Sequence, residues 1–95
     1  MTHELKIRPQ FFDKVISGEK TFEIRKNDRN FKVGDRIILK EYDNETGFTG
    51  RNAVFDITYV MTDTEFVKKG FAVLGIKPYS IKEMLERSTD NGKDG

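Results

Sequence analysis

The sequence predicts an α+β domain: a small β-barrel of about five to six mostly antiparallel strands with two short helices. Three observations carry this expectation. Apolar stretches of strand length recur along the chain, separated by turn signals rich in Gly, Asn and Asp. Only two stretches have helical spacing, too few crossover helices for a doubly wound parallel sheet. The 95 residues suffice for one domain with a modest core, hiding roughly 60–65% of the unfolded surface. A functional site is therefore expected in a shallow groove or on the sheet surface.

Glu4–Arg8 reads as the first strand, with Leu5 and Ile7 on one face. Pro9 suits a first helical turn, and Gly18 a left-handed stop, so Pro9–Ser17 is a helix. Its stripe Phe11, Val15 and Ile16 is expected in the core. Thr21–Lys26 alternates. Phe22 and Ile24 share the face expected to meet the core; Thr21, Glu23 and Arg25 share the other, presented outward or into a cleft. Asn27–Asn30 and Val33-Gly34-Asp35 are turns. Arg36–Asp43 is a buried strand, Asp43–Gly50 a loop, and Asn52–Val60 a strand. Thr62–Gly70 fits either a helical turn or a loop. Phe71–Lys77 is apolar on both faces, as a central strand is. Ser80 and Glu83 form a capping box opening a helix to about Ser88. A single domain over 1–88 and a flexible tail over 89–95 follow, since Thr89–Gly95 lacks any apolar residue.

The chain has no Cys. Disulfides, thiolate nucleophiles and Cys-type zinc sites are excluded, and a reducing, cytoplasmic setting is expected. One His leaves no basis for a transition-metal site, and no cofactor is implied. No apolar run reaches membrane-spanning length, so no membrane association is expected. Net charge is only +1, but its distribution is uneven. Lys20–Lys40 carries seven basic residues against three acids; Glu41–Phe66 carries six acids against Arg51 alone. Local basic clusters favour phosphate contacts more than the net sum does.

The segment Gly18–Arg25 has the pattern G-x-K-x-x-E-x-R. Gly18 ends the helix, Lys20 sits at the helix–strand junction, and strand parity aims Glu23 and Arg25 the same way. A cation, a carboxylate and a guanidinium converge on one patch. Arg25 offers a planar fork for phosphate or a base edge, Glu23 an acceptor for an exocyclic amine, and Lys20 a point charge or a proton. On spacing alone a solvated cross-strand ion pair is the competing reading.

Taken with Phe31-Lys32-Val33-Gly34-Asp35 and the apolar strand after it, this motif resembles the ASCH domains of the PUA-like superfamily. His3–Ile7, Phe22–Arg29, Glu41-Tyr42, Thr49-Gly50-Arg51, Ile57–Val60 and Gly70–Ile76 resemble one subgroup, the family DUF3850, whose members are often found in bacteria and their phages. The resemblance runs from His3 to Ile76. It implies a small PUA-like (ASCH-type) β-barrel with a cleft that binds RNA or a nucleotide, lined by Gly18, Lys20, Glu23 and Arg25. One ASCH branch hydrolyses the acetyl amide of N4-acetylcytidine with a lysine, a threonine and a distant glutamate. Lys20 matches the lysine, but Glu23 stands at the threonine position, so the match implies binding ahead of catalysis.

Candidate ligand-binding residues are thus Lys20, Thr21, Glu23, Arg25, Asn27, Asp28, Arg29 and Arg51. Asn27-Asp28-Arg29 follows the motif strand and serves either as a clamp or as an Asx-type turn. Arg51 closes the Gly-flanked loop as a further phosphate contact. Lys20 and Glu23 are the only candidate catalytic pair. Phe48, in that loop, is a candidate for base stacking, whereas Tyr59 is expected to pack. His3 reads as an incidental polar residue. Three functions remain open: an RNA- or nucleotide-binding module, a small amidohydrolase acting on a modified nucleoside, and a phage-type protein-interaction domain, the last motivated by the acidic stretch.

Overall fold

Alternation of polar and apolar residues sets five strands around one helix, in the order β1 (Thr2–Ile7), α1 (Pro9–Ser17), β2 (Phe22–Lys26), β3 (Arg36–Asp43), β4 (Gly47–Met61) and β5 (Phe71–Pro78). The computed structural model describes residues 1–79. The helix expected from Ser80 and the tail from Thr89 lie outside them. The strands form one curled sheet in the order β1-β3-β4-β5-β2. β1 pairs with β3 in parallel and the other pairings are antiparallel, so β1 and β2 are the two edges. The curl makes a half-barrel. β-bulges at Lys40/Tyr42 and Ile57/Tyr59 help it, because an extra residue on one strand increases local twist.

Inward residues of successive strands build the core: Leu5 and Ile7, Ile37 and Leu39, Phe55 and Ile57, and Ala72, Leu74 and Ile76. Nine residues are too few for a helix to stand alone. α1 is held by Phe12 and Val15, both buried, and starts where the Phe11 and Phe12 amides donate to the Arg8 carbonyl. Only part of the expected apolar stripe is core: Phe11 and Ile16 are 44% and 56% exposed.

Three further expectations change. The Asp43–Gly50 loop is a tight hairpin. The Asp43 carboxylate accepts from the Glu45 and Thr46 amides, so the chain reverses early and Gly47 already pairs with Asp43. His3 is no incidental residue: it is 5% exposed, with Nε2 2.9 Å from an Asp35 oxygen and its ring edge-on to Phe31. That contact, first among its partners, holds the Asp35 carboxyl below its ordinary value. Tyr59, expected to pack, is 57% exposed. It follows the bulge at Thr58, where strand parity slips by one residue. Residues 62–70 form turns with no helix. No helix among the described residues is long and apolar enough to cross a membrane.

Candidate nucleotide-binding cleft

Gly18, at φ 83°, ends α1 in the left-handed conformation. The Lys20 amide then donates to the Lys14 carbonyl at 3.0 Å. This folds the chain back over the helix end and sends it into β2. Glu19 stays on the surface, its carboxyl lowered by Lys14 and Ser17.

β2 turns its polar face inward, opposite to the placement expected for Phe22 and Ile24. Glu23 and Arg25 lie directly across from Leu74 and Ala72 of β5. Directly paired residues project to the same side of a sheet, and Leu74 and Ala72 are core. Glu23 is therefore 3% exposed, while Phe22 and Ile24 are 42% and 58% exposed. An edge strand next to the open side of a half-barrel can do this because its inner face meets a cleft and charged partners.

Those partners come from the same motif. Lys20 Nζ donates to one Glu23 oxygen. Arg25 Nε donates to the other at 2.9 Å, and Arg25 Nη2 donates to the Lys6 carbonyl of β1 at 2.7 Å. Arg29 reaches the Glu4 carbonyl, also at 2.7 Å. Two arginines thus tie the β2 side to the free edge of β1. Alternate residues of a strand point their backbone groups to the same edge, which explains why Glu4 and Lys6 are both available.

The cleft, about 440 Å³, has this ion-pair group on its floor. Phe11 and Phe22 wall it, with Lys20 Nζ 5.4 and 5.1 Å from their ring centres. Lys6 and Arg8 add cations to its lining. Each carboxylate oxygen of Glu23 has lone-pair capacity beyond the one bond it accepts. The site can hold a flat, polar group against aromatic walls and an anion near its cations.

Of the residues singled out by sequence, Lys20, Glu23 and Arg25 converge. Arg29 lines an adjoining groove with Arg25, and Asp28 sits 3.8 Å from Arg29. Thr21 and Asn27 are exposed and do not line the cleft. Arg51 does not line it either. Its Nε and Nη2 grip the buried Glu41 carboxylate at 2.9 and 2.8 Å, Nη2 also reaches Asp13, and the guanidinium lies over Phe12. With Thr49 also donating, Glu41 is lowered from 4.5 to about 2, and Arg51 is raised above its ordinary value by Glu41 and Asp13. Sequence reasoning missed Lys6, Arg8 and the wall role of Phe11. The polar parity of Lys6 in β1 was the one available signal.

With this geometry in place, comparison with known proteins assigns the chain. A family model described as a domain of unknown function, DUF3850, matches residues 2–76. The chain belongs to the DUF3850 family. This DUF3850 domain is also similar to an "uncharacterized 12.9 kDa protein in GpA 3'region" of Escherichia phage P2, 45% identical over 58 residues. That match spans 61% of this chain and 52% of the phage protein, about half its length.

Proposed function

We propose that this DUF3850 domain is a non-catalytic binding module for RNA, or for a nucleotide within it, and that the Lys20–Glu23–Arg25 cleft receives a base. One observation carries the reading: a buried carboxylate on the floor of an aromatic-walled cleft with cations in its lining. A carboxylate so placed accepts from an exocyclic amine, aromatic rings stack on a base, and Lys6 and Arg8 suit phosphate. The motif's resemblance to ASCH domains supports the same ligand class. The test is titration of the full chain with cytidine 5′-monophosphate and single-stranded RNA at several salt concentrations. Salt-sensitive binding that Lys20→Ala weakens at least tenfold, with the fold retained, is expected. No binding at any salt concentration would sink the proposal.

The Lys20–Glu23 contact also motivates a hydrolase reading, since a lysine beside a carboxylate is an acid–base pair. Glu23 replaces the threonine nucleophile, which favours binding over cleavage. Incubation with N4-acetylcytidine and mass spectrometry decides: turnover above buffer would restore the enzyme. The protein-interaction reading loses part of its motivation. Three of the six acids behind it are engaged internally, Glu41 by Arg51, Asp56 by Arg36 and Asp43 by the Glu45 and Thr46 amides.

A further inference from the structure

We infer that the cleft continues into a second groove, and that the ligand is a single-stranded oligonucleotide whose neighbouring base stacks on Phe48. This rests on the binding role proposed above and extends it from a single base to a strand.

The groove has a volume of about 390 Å³ and shares Lys6 and Arg25 with the cleft. Each cavity falls in the range of small-ligand sites, about 300–1,000 Å³. Two such sites with common walls suit a ligand of repeated units better than one compact molecule. Charge agrees. Lys6, Arg8, Lys20, Arg25, Arg29 and Lys40 line the two cavities against only Glu4 and Glu23, in a chain whose net charge is +1. Cations gathered along one continuous path match a polyanion's backbone.

Phe48 supplies the stacking surface. The tight hairpin that replaced the expected loop places it in β4, paired with Tyr42. It is 54% exposed. Tyr42 holds its ring edge-on at 5.0 Å, and Lys6 and Lys40 lie 5.6 and 5.1 Å from its centre. A base stacked on the ring displaces an ammonium, which is then free for the adjoining phosphate. The Lys40–Glu4 pair is exposed and exchangeable in the same way. The partner is single-stranded because stacking on a side chain needs a base face free of its neighbours.

The chain contains no Trp, so Phe48→Trp creates a single fluorescent reporter in the groove. The experiment compares cytidine 5′-monophosphate, a tetracytidylate RNA, its DNA counterpart and a double-stranded RNA, each against wild type, Phe48→Ala, Phe48→Trp and Lys40→Ala. The tetramer is expected to bind at least tenfold more tightly than the monophosphate. Phe48→Ala removes most of that gain, and Phe48→Trp keeps it, with emission that the tetramer changes and the monophosphate does not. Lys40→Ala lowers the salt slope by about one unit. A similar gain with DNA identifies the shared single-strand chemistry; a preference for RNA adds the 2′-hydroxyl as a contact. Tetramer binding that depends on Phe48 without monophosphate binding supports the groove and counts against the cleft as a base site. Tetramer binding no tighter than the monophosphate overturns the extension and leaves the cleft reading standing. A gain that survives Phe48→Ala, or equal binding of the duplex, also overturns it. No binding of any probe overturns both.

Discussion

Glu23 and Leu74 face one another across the β2–β5 ladder with both side chains on the core side of the sheet, the carboxylate 3% and the leucine 0% exposed. A carboxylate at a position suited to leucine costs several kcal/mol of desolvation, which Lys20 and Arg25 offset in part. Under the proposed binding role, that cost is retained because the carboxylate serves the ligand. Lys20→Met combined with Glu23→Leu removes the pair together and leaves Arg25 its bond to the Lys6 carbonyl. This double variant is therefore expected to unfold within about 1 kcal/mol of wild type, or above it, while ligand affinity falls at least tenfold. Denaturant unfolding and ligand titration of the same variant check both halves. A loss above about 3 kcal/mol would instead make the pair structural.

Arg25 touches the Glu23 carboxylate and the Lys6 carbonyl together. A lysine has one nitrogen and cannot span both acceptors. Arg25→Lys is expected to cost about 1–2 kcal/mol by urea unfolding, although charge is unchanged. An unchanged midpoint would show that the link between β1 and β2 contributes little.

Glu41 sets an acid limit. Its carboxyl is lowered from 4.5 to about 2 by Arg51 first and Thr49 next. A depressed folded-state value means that the stability it contributes is fully present above about 4.5 and is lost as pH falls toward 2. Asp35, lowered by His3, acts in the same direction below its ordinary 3.8. Glu41→Gln should be less stable at neutral pH, with a shallower loss of stability below 4.5. Circular dichroism unfolding across pH checks this; parallel wild-type and variant curves would remove the Glu41 contribution.

Two glycines should fail for different reasons. Gly18 has open space around it but a φ of 83°, so Gly18→Ala costs about 1–2 kcal/mol in backbone strain. A Cβ on Gly75 would lie 3.1 Å from both Thr58 Oγ1 and Tyr59 Cβ, at the bulge of β4. Gly75→Ala is expected to cost about 1–3 kcal/mol through crowding. Adding Thr58→Ala should recover part of the second loss and none of the first. Equal recovery in both would refute the distinction.

Much of this molecule was legible in its residues. Helix Pro9–Ser17 and strand Arg36–Asp43 have the bounds that their punctuation indicates, because Pro9, Gly18 and the Gly34 turn act locally on the backbone. The G-x-K-x-x-E-x-R spacing identified Lys20, Glu23 and Arg25 as one group, because a turn followed by a two-residue repeat is also local. Parity grouped Phe22 with Ile24 but assigned their face wrongly. Alternation says which residues share a side, never which side a curled sheet closes around. That choice belongs to the neighbours of β2, an edge strand whose inner face meets a cleft. The same holds for Lys6, Arg8 and Lys40, distant in sequence and brought beside the motif by the parallel β1–β3 pairing and the arginine links to β1. Local spacing thus placed Lys20, Glu23 and Arg25 together, and only long-range strand pairing decided that the carboxylate is buried and that Lys6 lies beside it.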